Sequence, residues 1–125
     1  MPAIQEGLNL GDLLKYEAPN LYSRDPVTVA AGSQLALGTV VGRVTATAKV
    51  VQLDPAATDG TEAPVGILLG NIDATLIDVE DGIILARHGT VASNAVVWPD
   101  GITPEQKTTA LAQLKALGIL VRQGV

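Results

Sequence analysis

The sequence predicts a mixed α/β domain, mainly β, with one helix near the C-terminus and an extended arm at the N-terminus. Three observations predict it. Short β-branched runs recur between turn signals from residue 27 onward. Residues 104–117 carry helical spacing between a start and a stop signal. Residues 1–26 are apolar but interrupted by glycine and proline. A chain of 125 residues has the size of one compact domain. The expected division is therefore an arm over 1–26 and a single β-rich domain over 27–125.

The arm contains Leu8, Leu10, Leu13, Leu14, Tyr16, Leu21 and Tyr22, too much apolar surface for an idle solvated tail. Pro19 and Pro26 deny it a long helix. It is expected to lie against a partner. Strands are then expected at 27–29, 39–44 and 49–53. Gly42, inside the second of these, signals a bend or a close backbone approach. Residues 54–63 read as a loop, with Asp59-Gly60 as its turn dipeptide. Further strands are expected at 65–69, 83–87, 90–92 and 95–98, with a polar, acidic connection over 70–82. In the helix, Thr103 is the expected N-cap, Pro104 the first helical residue and Gln106 the partner in a capping box. Ala110, Leu111, Leu114 and Leu117 fall on one face, Gly118 ends the helix, and residues 119–121 return as a last strand.

Composition excludes several functions. Net charge is −5 and no two of the eight Lys and Arg residues are adjacent, so no basic surface for nucleic acid is expected. With no cysteine, disulfides, zinc–thiolate sites and thiol catalysis are excluded. No apolar stretch approaches the ~20 residues of a membrane span, and no signal-peptide pattern opens the chain. Aromatics are 2% of residues, so Val, Leu, Ile and Ala must build the core, and oligomer contacts are expected to add stability.

Neither catalytic nor metal residues are expected. His88 is the only histidine and has no cysteine or second histidine to complete a site, so it reads as a loop or strand-end residue. Asp73, Asp78, Glu80 and Asp81 lack the spacing of a calcium loop, and Asp54, Asp59 and Glu62 form a looser set; both read as solvated carboxylates. Glycine-rich phosphate cradles and the Gly-x-Ser-x-Gly elbow are absent. The apolar helix face is read as covering its own sheet. Trp98, beside Pro99, is either a large core residue or an oligomer-interface anchor.

Several segments resemble one family. Asp59-Gly60-Thr61 followed by Val65-Gly66-Ile67-Leu68, then Val96-Val97-Trp98-Pro99, then the terminal helix and strand, are similar in kind and order to lambda-type phage head decoration proteins. Asp12-Leu13-Leu14-Lys15-Tyr16-Glu17 and Asn20-Leu21-Tyr22-Ser23-Arg24 resemble an arm found among its members. The resemblance covers nearly the whole chain. It departs from lambda's own member in a more apolar arm and in the cleaner helix start at 101–105. It implies a β-clip-like core and a homotrimer seated at three-fold and quasi-three-fold sites of the expanded head. It also implies an arm that adds a strand to the major capsid protein, and a cement that resists DNA pressure. Location on the outer surface of the virion follows, after synthesis in the bacterial cytoplasm, with no enzyme activity, cofactor, small-molecule substrate, nucleic acid or membrane partner.

On that reading Leu8, Leu10, Leu13, Leu14, Tyr16, Leu21 and Tyr22 are the capsid-binding candidates, and residues 1–22 should be removable without loss of fold. The alternative is a β-rich virion-surface module for a host or carbohydrate ligand, which needs exposed aromatic platforms that three aromatics scarcely supply. A small β-clip hydrolase would need an acidic metal cluster and phosphate-binding motifs.

Overall fold

Neighbouring residues on a strand face opposite sides, and three strands of this protein, at Val40–Arg43, Pro64–Leu68 and Val79–Leu85, bury adjacent residues on both sides. The computed structural model describes residues 9–123. It begins with helix α1 (Leu10–Leu13) and strands β1 (Leu14–Glu17), β2 (Arg24–Val29), β3 (Ser33–Leu35), β4 (Val40–Arg43) and β5 (Val50–Gln52). Then come β6 (Pro64–Leu68), β7 (Ile72–Ala74), β8 (Val79–Leu85) and β9 (Gly89–Ala92), a 3₁₀ turn at Ser93–Ala95, helix α2 (Pro104–Ala116) and β10 (Ile119–Arg122). The fold is mainly β with one long C-terminal helix, as the sequence predicts.

Five strands close into a barrel in the order β2-β5-β4-β6-β8. Closure removes sheet edges that would otherwise recruit other strands. The adjacent pairs Val40/Val41, Ile67/Leu68 and Ile84/Leu85 are buried and split between two cores. Val40, Ile67 and Leu85 join Leu13, Val91, Leu114 and Ile119 in one cluster. Val41, Leu68 and Ile84 join Val27, Val29 and Val50 in the other. A wall covered on both faces reads as continuous apolar runs rather than alternation. Gly42 makes the close approach its position suggested: a Cβ there would sit 2.6 Å from the Thr61 carbonyl oxygen.

Against the barrel lies a three-stranded sheet of order β1-β9-β10, with β1 antiparallel and β10 parallel to β9. A separate pair joins β3 to β7, with Gln34 opposite Asp73. Helix α2 packs Ala110 and Leu114 into the first core. Its capping box forms as expected: Gln106 N donates to Thr103 Oγ1 at 3.1 Å and Thr103 N to Gln106 Oε1 at 3.0 Å. Gly118 ends it at φ +85°, a left-handed conformation suited to glycine.

Two expectations need correction. Residues 95–98 are not a strand: a 3₁₀ turn occupies Ser93–Ala95, and only Val97 bridges, to Thr39. Val97 spends its backbone on Gly38 and Val40, which leaves no ladder to extend. The stretch 70–82 is not one loop: it contains β7 and the first half of β8. Glu80 and Asp81 are exposed charges on a strand whose register β2 imposes through Val27 opposite Gly82. The described part of the 1–26 segment, from Asn9 on, forms α1, β1 and the start of β2.

Candidate functional site

Asp59, Asp73 and Asp78, drawn from the two acidic sets of the sequence, are occupied in holding loops. Asp59 Oδ1 accepts from Thr61 N at 3.1 Å and from Thr61 Oγ1 at 2.6 Å, and the hydroxyl contact lowers its pKa. Asp73 is held by Thr75 in the same way, with the same direction of shift. Asp78 pairs with Lys49 and accepts from Ala31 N at 2.8 Å; the lysine contact is the first cause of its lowered pKa. These carboxylates stay charged because donors already face them. Among the described residues, no three His, Asp or Glu side chains converge as a metal set would require. His88 sits exposed in the β8–β9 turn at φ +47°, its N–H donating to Leu117 O at 3.3 Å and its ring 5.5 Å from that of Tyr22.

The N-terminal candidates separate into three groups. Leu8 lies outside the described residues. Leu13 is fully buried at 0% exposure, and Leu10 and Leu14 are half-buried against the same core. Leu13 is thus a core side chain with no surface to offer a partner. The local sequence explains why: Asn9 and Asp12 cap each other across α1, with Asp12 N donating to Asn9 Oδ1 and Asn9 N to Asp12 Oδ2. That turn aims Leu13 inward and starts β1, which pairs Leu14 with Val91 and Glu17 with Gly89.

Tyr16, Leu21 and Tyr22 form the third group, at 59%, 62% and 55% exposure. Their backbone is pinned. The buried Ser23 hydroxyl accepts from Ala18 N at 3.0 Å and donates to His88 O at 2.9 Å, tying the 18–23 turn to the β8–β9 turn. Arg24 Nε pairs with Glu17 at 2.8 Å, and Arg87 reaches Asp25 and Tyr22 O, both at 2.6 Å. Asn20 and Leu21 are both left-handed, at φ +64° and +59°. A left-handed leucine costs about 1–2 kcal/mol, and Leu21 is held there with its carbonyl accepting from Arg24 N at 3.1 Å. The strand below, β1, is an edge of its sheet.

Trp98 is half-buried against the first core, with Lys107 Nζ 5.4 Å from its ring centroid, and Pro99 beside it is also half-buried. One feature escaped sequence reasoning altogether. Leu76 and Ile77, between β7 and β8, are 89% and 71% exposed, more than any other large hydrophobic residue described. Two adjacent bulky apolar residues between Asp73-x-Thr75 and Asp78 were the available signal.

No curated protein matches the chain. A family model, that of the bacteriophage lambda head decoration protein D, matches residues 3–119, from the N-terminal segment to the first residue of β10. The match spans the barrel, the Trp98-Pro99 segment and all of α2, and on it the chain belongs to the bacteriophage lambda head decoration protein family.

Proposed function

We propose that this protein cements the expanded phage head from outside, as trimers at three-fold and quasi-three-fold sites, and so resists the pressure of packaged DNA. The family match over residues 3–119 carries the reading, since members of that family are structural proteins of the phage capsid. The β-clip-like core is the rigid platform of the clamp. Capsid contact comes from the segment ahead of Leu10, which includes Leu8, together with the exposed Tyr16, Leu21 and Tyr22.

The physical case has two parts. A segment that adds a strand to capsid protein gains main-chain hydrogen bonds, while alternate side chains fill pockets. Here such a segment leads through α1 into β1, and Ser23 orders the turn that follows β1. Three such contacts on one trimer act together, so avidity exceeds any one of them. A ligand that binds only the expanded lattice stabilises that lattice by mass action.

Deletion of residues 1–8 tests this directly, because it spares the Asn9 cap, Leu13 and every strand. The shortened protein is expected to melt like the full chain and to fail to pellet with expanded shells. Undiminished pelleting would remove the N-terminal segment from the capsid contact. Deletion of 1–22, which sequence alone suggested, would confuse the two effects by removing Leu13 and β1 together.

A further inference from the structure

The two most exposed apolar residues sit on an ordered loop. Asp73 holds Thr75 on one side, Asp78 holds Ala31 N and Lys49 on the other, and Gly32 N donates to Ala74 O at 2.7 Å. Leu76 and Ile77 are therefore presented with their backbone entropy already spent in folding, the condition under which an apolar contact returns most affinity.

A matching recess lies elsewhere on the same chain. Between α2 and β10 a groove of about 260 Å³ is lined by Leu111, Lys115, Ile119, Leu120, Val121 and Arg122. It is smaller than the ~300–1,000 Å³ of small-molecule sites, a scale that suits a side chain or two. Its rim carries Lys115 and Arg122 and no carboxylate, and neither forms an ion pair among the described residues. Segment 73–81, which bears the loop, holds Asp73, Asp78, Glu80 and Asp81 and no Lys or Arg; Lys49 pairs with Asp78, and Asp73, Glu80 and Asp81 form no ion pair among the described residues. The two surfaces are alike in apolar centre and opposite in charge.

They also lie on different parts of the fold. The loop's neighbours Ile72, Ala74 and Val79 belong to one core, and the groove's Ile119 and Val121 belong to the other. Contact between unlike patches is head-to-tail, and head-to-tail contacts close into rings or run on as filaments.

We propose that the Leu76–Ile77 loop of one copy of this chain seats in the α2–β10 groove of the next, with Lys115 and Arg122 facing its acidic flank. This rests on the trimer reading above and supplies the contact from which a three-membered ring is built.

The absence of native cysteine allows a direct test. Ile77→Cys and Leu120→Cys chains are mixed, oxidised mildly and digested, and the 77–120 disulfide is quantified by peptide mass spectrometry. A pair of Ile77→Cys with Thr47→Cys, an exposed turn position, is the control. Seating of the loop raises the effective concentration of the first pair, so its yield should exceed the control at least about tenfold. Adding Lys115→Glu and Arg122→Glu to the Leu120→Cys chain should return the yield to the control. The Ile77→Cys/Leu120→Cys double variant should stop at a closed three-chain species.

Equal yields for the two pairs would overturn the proposal. Leu111→Cys, on the helix side of the groove, replaces Leu120→Cys if the latter alters the melt. Pelleting of Leu76→Asp/Ile77→Asp with expanded shells separates the two readings. Full binding at wild-type stoichiometry sinks the loop contact and leaves decoration standing. Efficient 77–120 crosslinking of a chain that never pellets with shells does the reverse.

Discussion

At the scale of single residues, Ser23 is the clearest case of a polar side chain that the fold cannot spare. It is buried, and it satisfies both Ala18 N and His88 O. Ser23→Ala would leave two backbone groups without partners, and should lower unfolding free energy by ~1–3 kcal/mol in denaturant titration. Tyr22, one residue earlier, is exposed, so Tyr22→Asp should barely change the melt while weakening decoration. Leu13→Asp should do the opposite and unfold the chain, because it buries an unpaired charge. Asp59, Asp73 and Asp78 all have pKa values lowered by hydrogen bonding in the fold. Their stabilisation is present in full above the unfolded aspartate pKa of about 3.9 and is lost as pH falls through the lower folded values. The melting temperature should stay level from neutral pH to about pH 5 and decline below about pH 4. Asp73→Asn should make that decline shallower.

At the scale of elements, α2 shows how local signals fix a structure. Thr103, Pro104, Gln106 and Gly118 each take the position their chemistry favours. Thr103→Ala should cost ~0.5–2 kcal/mol by loss of the cap, measurable as a shift in the urea midpoint. The β-branched runs of β4, β5, β6 and β10 were legible for the same reason: sequence and burial agree along them. The less legible elements depend on distant partners. Strand β3 is Ser33-Gln34-Leu35, which has no strand signal of its own. It forms because β7 pairs with it and Asn71 Oδ1 accepts from Leu37 N at 2.8 Å. Strand β1 alternates Leu14 and Tyr16 with Lys15 and Glu17, a pattern that the flanking glycines and prolines disguised as an arm. Of the capsid-binding candidates, sequence separated apolar from polar correctly but could not separate inward from outward. Leu13 and Tyr16 lie three residues apart, one in the core and the other on the surface. That distinction arises from the Asn9–Asp12 cap and the β1–β9 register, both of them tertiary in consequence.

At the scale of the whole molecule, a closed barrel covered by one helix and a small sheet leaves few edges, and its exposed apolar residues fall into distinct places. Tyr16, Leu21 and Tyr22 belong to the face that follows the N-terminal segment; Leu76 and Ile77 belong to the β7–β8 loop. On the proposed reading the first region holds the shell and the second holds its own copies. Their effects should be separable: deleting residues 1–8 abolishes shell binding, while Leu76→Asp/Ile77→Asp weakens it through lost avidity. Capsid decoration is the property of the family to which the chain belongs, and how it is achieved is the central claim. The most direct test is quantitative co-sedimentation of the full chain with expanded and unexpanded shells of its own phage. The account predicts saturable binding to expanded shells alone, at three copies per three-fold site, lost on deletion of residues 1–8. Binding that is unsaturable, or equal on both shell forms, or absent from expanded shells, would contradict it.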